Sequence, residues 1–238
     1  MKGKGGYMSS RKLGLYLILV GIVLLALKLT INTGIKLYPE YETDYKVGSE
    51  FQAYTVNYFY GANGVSMDEA TLDVYYTGFR IDLFSNIVGY ILVIIGVGKL
   101  KDVSRVLSLT KMIAIVGLAL SVIIEVLPFV LNGYKLCYVA LFTGIAELFA
   151  AVSVGYLFVY AICTILDDVA FKSDRAYIGM SYIGMAILMI VVAFVGWVSA
   201  VSIILLGFYS LVCAFVTGLL LFNILKVKDY ITKERGLE

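Results

Sequence analysis

Two carboxylates in this chain lie where a carboxylate is expensive. Glu125 and Glu147 each interrupt a long apolar run. An ionisable side chain inside such a run is rare unless it binds, carries or pairs with something. Counted at about 1.5 Å per residue, Glu125 lies roughly 9 Å and Glu147 roughly 16 Å from the nearer ends of their runs. The four residues Asn132-Gly133-Tyr134-Lys135 join the two runs, so the acids belong to neighbouring antiparallel helices. Two carboxylates in one apolar compartment resist joint ionisation, and that is the chemistry of a proton or cation site. Lys28 closes the first apolar run, and Asp82 and Asn86 open the second, on the same side. Pro128, with no N–H, leaves the carbonyl of Ile124 without its helical donor one turn from Glu125. Glu125, Glu147, Lys28 and Asp82 are therefore the candidate ion, proton or substrate residues. The competing structural reading has Lys28 reaching outward to water and the glutamates bonding across helices.

Other chemistry has little to work with. There is no histidine, which removes the commonest general base and metal ligand. No metalloprotease, nucleophile-elbow or phosphate-loop pattern occurs. Asp167-Asp168 suggests a divalent ion site, but adjacent acids diverge on a helix, and a solvated helix end explains them. No catalytic residue, cofactor or metal is expected. The three cysteines, Cys137, Cys163 and Cys213, fall within or at the edges of apolar runs and read as packing residues rather than a disulfide framework.

These groups require a membrane to hold them. Of the 238 residues, 61% are hydrophobic and 15% charged, against roughly 45–50% and about 25% in soluble domains. A net charge of +2 without a basic aromatic surface excludes nucleic acid as a main partner. A helix needs about 20 apolar residues to cross the hydrocarbon core. Six stretches qualify, at about 12–31, 83–97, 112–131, 136–166, 177–198 and 200–225. The expected fold is thus a single all-α bundle of six transmembrane helices. The second span is short and must borrow Ile81 and Leu100. The fourth is long enough to tilt or project.

Fourteen of the 19 basic residues fall at the N-terminus, after spans two and four, and in the C-terminal tail. The positive-inside rule then puts both termini in the cytoplasm. The first apolar run, preceded by Lys2, Lys4, Arg11 and Lys12, is too long for a signal peptide and lacks a cleavage pattern, so it reads as a retained helix. Codons for Lys4-Gly5-Gly6 can form a ribosome-binding site, which makes Met8 an alternative start, to be decided by intact mass.

The external segment, residues 32–80, is acidic and rich in tyrosine. Glu50–Tyr60 and Leu72–Thr77 carry strand-forming residues, and Gly61-Ala62-Asn63-Gly64 is a turn signal, so a β-hairpin on the outer face is expected. A helix starting over Met67–Ala70 is the alternative. Its tyrosines serve either a docking cap or the membrane interface.

Small residues at four-residue spacing mark close helix contacts. Ser210, Ala214 and Gly218 form such a row, as do Ala140 with Gly144 and Ala151 with Gly155, which places spans four and six centrally. Spans one and two share a looser pattern, Gly14 with Gly21 and Gly89 with Gly96. The tandem Tyr177-Ile178-Gly179-Met180 and Tyr182-Ile183-Gly184-Met185 has a period of five that suits neither helix nor strand.

Ile81–Leu100, IDLFSNIVGYILVIIGVGKL, resembles a segment of small polytopic membrane proteins from Gram-positive bacteria. The matching positions are Asp82, Gly89, Tyr90, Ile91, Leu92, Gly96, Lys99 and Leu100. The resemblance covers one span and implies a bacterial plasma membrane and no particular activity. The function expected is a non-catalytic membrane subunit or accessory protein that docks a partner through its spans or its external segment. The alternative is a small transporter using Glu125 and Glu147. The partners expected are the lipid bilayer and a membrane protein or second copy.

Overall fold

A computed structural model describes residues 4–27, 30–32, 65–67, 74–76, 80–82, 85–100, 102–130, 133–167, 169–198 and 203–232. It is an all-α bundle: α1 (Lys4–Ala26), α2 (Asn86–Leu100), α3 (Val106–Val130), α4 (Gly133–Ile165), α5 (Lys172–Val198), α6 (Ile203–Lys226) and a short α7 (Lys228–Thr232). A 3-10 turn, Val169–Phe171, leads into α5. Three helical stretches are long and apolar enough to cross a membrane: Val106–Leu127, Phe142–Ile165 and Lys172–Val191. Asn86–Leu100 and Leu211–Lys226 are apolar but shorter.

Each helix buries a stripe at helical spacing. On α1 it is Leu15, Ile18, Leu19, Ile22 and Leu25; on α4, Ala151, Val154, Phe158 and Ile162; on α6, Cys213, Thr217, Leu220 and Ile224. The large side chains on the opposite faces, Phe142, Phe149, Leu211, Phe215 and Phe222 among them, are exposed. Such a surface suits lipid rather than water.

α1 and α2 make the closest approach. Gly21 lies against the Gly89 carbonyl and Gly14 against Gly96. A Cβ added at Gly21 would stand 2.7 Å from the Gly89 oxygen, and one at Gly96 would stand 2.6 Å from the Gly14 oxygen. The matched seven-residue spacing is thus a backbone-to-backbone seam between antiparallel helices. Gly21→Ala or Gly96→Ala must push the helices apart and is expected to cost about 1–3 kcal/mol, read as a lowered midpoint of thermal unfolding in detergent.

The seam continues beyond the helices. β1 (Thr30–Asn32) pairs antiparallel with β4 (Arg80–Asp82), Ile31 opposite Ile81. The helices expected to reach Ile31 and Ile81 therefore stop at Ala26 and Asn86. The β-branched residues there satisfy their backbone groups in a ladder instead. β2 (Val65–Met67) pairs with β3 (Val74–Tyr76). The expected strand Leu72–Thr77 thus contains β3, but its partner is Val65–Met67, which also places Met67 in a strand rather than at a helix start. Glu50–Tyr60 lies outside the described residues.

Two further expectations are corrected. The turn between α3 and α4 is shorter than four residues, because α4 already starts at Gly133. The α6 row of small residues does not face a neighbour: Ala214 and Gly218 are exposed, and a Cβ at Gly218 would meet nothing within 4 Å. α6 is therefore peripheral, whereas on α4 the Ala151 and Gly155 row is buried, with Tyr182 of α5 against Gly155. The two tandem copies point apart, Tyr177 exposed and Tyr182 buried.

α1 and α7 meet at one end of the bundle. Lys12 Nζ lies 2.8 Å from Asp229 Oδ1, and Lys226 Nζ lies 2.8 Å from Asp174 Oδ1. The Phe171 and Tyr230 rings are 4.4 Å apart. The hydrogen bond from Lys12, reinforced by its charge, holds the Asp229 carboxyl below its ordinary value of 3.8. A depressed carboxyl contributes stability above its unfolded value and loses it as pH falls through its folded value. Acidification below about pH 4 is therefore expected to release α7 before the bundle opens. Hydrogen exchange over 228–232 reads the effect, and in Asp229→Asn the region should be equally loose at both pH values.

Candidate functional site

The polar centre of the bundle is built on Glu147. Its residue is only 5% exposed, midway along α4. Three side chains from two other helices donate to the same carboxylate oxygen, Oε1. Asn86 Nδ2 stands 2.8 Å away, Tyr90 Oη 3.1 Å and Ser121 Oγ 3.4 Å. Tyr90 Oη also lies 3.2 Å from the Glu147 carbonyl oxygen.

Helical spacing explains the convergence. Asn86 and Tyr90 are four apart and share one face of α2. Gly117 and Ser121 are likewise four apart on α3. The absence of a side chain at Gly117 is what lets the Tyr90 ring through: a Cβ there would stand 2.3 Å from Tyr90 Cζ. The ring is fully buried. The cluster thus ties α2, α3 and α4 together through a buried carboxylate, and its donors replace the hydration that the carboxylate lost.

The other candidates are distributed differently. Glu125 lies one turn beyond Ser121 on α3 but is exposed, while Ile124 and Leu127 beside it are buried. The two glutamates therefore occupy unlike surroundings rather than one shared compartment. Asp82 ends β4 opposite Thr30 in the ladder. Lys28 and the side chain of Asp82 lie outside the described residues. α3 runs through Pro128 to Val130. Asp167 is paired with Arg175, and Asp168 lies outside the described residues. Among the described residues no group of three or more His, Cys, Asp or Glu side chains is placed to hold a metal ion. Cys213 is buried, with Sγ 3.7 Å from the Ala26 carbonyl, whereas Cys163 is only partly buried.

Residue type alone does not mark Ser121 and Gly117, or give Tyr90 a role at Glu147. The available signal was positional: a hydrogen-bonding residue or a glycine one turn from Asn86 and one turn from Ser121.

A second polar seam joins α5 and α6, where Asn223 Nδ2 donates to Ser181 Oγ at 3.2 Å. The Tyr182 hydroxyl donates to the Val152 carbonyl, which locks α5 onto α4. These contacts are of the kind that hold transmembrane helices together in the absence of a hydrophobic driving force.

The class of protein that the fold defines is a helical bundle with three helices long and apolar enough to cross a membrane and a hydrogen-bonded acid at its centre. No protein-family model matches the chain, and neither a curated protein nor a solved structure shows significant similarity to it.

Proposed function

We propose that this chain is a six-span membrane protein of a bacterial plasma membrane, with both termini cytoplasmic, that serves as a non-catalytic subunit or accessory protein. It docks a membrane partner through its outward apolar faces or its Tyr-rich external segment. The observation that carries this reading is Glu147: three side chains of its own chain converge on it. A carboxylate engaged in this way fastens three helices, and the large apolar side chains remain on the outside for lipid or a partner helix.

A second reading rests on one atom. Asn86 Oδ1 is buried and has no hydrogen-bond partner among the described residues. An unpaired oxygen beside a carboxylate favours proton or cation binding at Glu147, with Glu125 as an outer station.

Reconstitution into vesicles separates the two. The accessory reading expects ion- and pH-sensitive dyes to report no flux above empty vesicles. It also expects a stoichiometric complex in native membranes that survives Glu125→Gln. Flux that disappears in Glu147→Gln or Glu125→Gln would overturn it in favour of transport.

A further inference from the structure

We propose that the groove between α4 and α5, at the end of the bundle where α1 and α7 meet, binds an anionic phospholipid, its phosphate beside the basic residues and an acyl chain along the groove. The inference rests on reading α4 and α5 as membrane-spanning helices. The groove is open to the outside and encloses about 570 Å³. It is lined from α4 by Tyr160, Cys163 and Thr164, from the following link by Asp167, and from α5 by Lys172, Arg175 and Ala176.

The groove arises from how the two helices meet. They are locked where the Tyr182 ring lies on Gly155 and its hydroxyl reaches Val152. They pack on each other more sparsely than either packs on its other neighbour. Towards the connecting link the Asp167–Arg175 ion pair bridges the two helices, and the lining includes the small side chains of Cys163 and Ala176 beside Tyr160. A volume of this size is in the range of small-molecule sites, roughly 300–1,000 Å³.

The chemistry is graded along the groove. Lys172 and Arg175 lie together at the mouth. Arg175 is tied to Asp167, an acid that competes with a phosphate for the guanidinium, although the planar fork has further donors to offer. Farther from the link, towards the Tyr182 lock, the surface is aromatic: Tyr156 and Tyr160 are stacked at 6.2 Å, and both are exposed together with Tyr177. A basic end followed by small and then aromatic side chains suits a phosphate followed by the apolar body of a lipid. Basic pockets between membrane helices on the cytoplasmic side bind anionic headgroups on the same logic. A free phosphate would use only the mouth, and a zwitterionic lipid would bring a cation to the two cations there.

The test uses the detergent-purified full chain, once alkaline extraction has shown that it stays with the membrane fraction; release at that step would fail the membrane reading, not the groove. Thermal unfolding and native mass spectrometry are then followed against phosphatidylglycerol, phosphatidylcholine and inorganic phosphate. Phosphatidylglycerol should raise the unfolding midpoint and be retained in the gas phase, with phosphatidylcholine and phosphate giving little. Lys172→Gln with Arg175→Gln should weaken phosphatidylglycerol roughly tenfold or more. Asp167→Asn should tighten it, because it releases Arg175 from its competing acid, a sign that mere damage to the fold would not produce. Ala176→Trp keeps every charge and fills part of the groove, and should also weaken binding. Equal effects of both lipids, full replacement of the lipid by phosphate, or an unchanged affinity in Ala176→Trp would each overturn the proposal.

Discussion

Glu147→Ala is expected to destabilise the bundle by about 2–4 kcal/mol, whereas Glu147→Gln is expected to cost under about 1 kcal/mol. The alanine variant removes the one acceptor on which Asn86, Tyr90 and Ser121 converge. Interhelical hydrogen bonds within membranes average about 0.6 kcal/mol, so three of them set the lower bound near 2 kcal/mol. A buried donor left without a partner costs about 1–3 kcal/mol, and the void left by the side chain adds to it, which sets the upper. Glutamine keeps the accepting oxygen, and its amide adds a donor to a cluster in which Asn86 Oδ1 has no hydrogen-bond partner among the described residues. Unfolding midpoints of the purified variants decide the matter. If glutamine were as damaging as alanine, the negative charge itself would be the essential feature, and the cation reading of Glu147 would gain. A wholly apolar replacement, Glu147→Leu with Asn86→Leu, Tyr90→Phe and Ser121→Ala, should regain much of the loss, because no donor is then left unpaired.

The contrast between Glu147 and Glu125 shows where sequence reasoning ran out. An acid in an apolar run is visible in the sequence, and Glu125 and Glu147 both interrupt such runs. Which of them faces inward depends on the direction of the buried stripe. α3 is apolar nearly all round, so its periodicity carries no direction. The orientation becomes visible only once α2 is packed beside it, with Ser121, Ile124 and Leu127 turned in and Glu125 turned out. The glycines tell the same story from the other side. The seven-residue spacing shared by Gly14, Gly21, Gly89 and Gly96 was present in the sequence. That it is one seam, read antiparallel, needed the two helices in register. The α6 row of Ser210, Ala214 and Gly218 obeys the same small-residue rule, yet Ala214 and Gly218 face outward. Small residues permit close approach but do not supply the partner that makes it. The helix ends at Ala26 and Asn86 were illegible for a different reason. Apolar composition does not distinguish a helix from a strand at a span end, and the ladder between Ile31 and Ile81 is a pairing across a long stretch of intervening sequence.

Gly117→Ala is expected to be the most damaging glycine-to-alanine change among the described residues, at about 3 kcal/mol or more, the upper end for overpacking. The new Cβ would stand 2.3 Å from Tyr90 Cζ, 2.4 Å from Cε1 and 2.6 Å from the hydroxyl oxygen. A flexible chain end can swing away from such a clash, but this is the body of an aromatic ring. The ring is 0% exposed, and its hydroxyl is held by Glu147. Moving it breaks the hydrogen bond that the first prediction addresses, so the two effects share one structure. Coupling should therefore be large. In a Tyr90→Leu background the same Gly117→Ala change should cost at least about 2 kcal/mol less, a departure from additivity well above that of independent sites. The control is the same substitution elsewhere. At Gly98, Gly179 and Gly218 a Cβ would meet nothing within 4 Å. There, alanine should be neutral or stabilise by up to about 1 kcal/mol through helix propensity alone. Unfolding midpoints that rise at those three positions and fall at Gly117, with the fall relieved by Tyr90→Leu, are the expected pattern. A Gly117→Ala midpoint grouped with the other three would show that Tyr90 does not occupy that slot, and with it the positioning of the hydroxyl at Glu147 would fail.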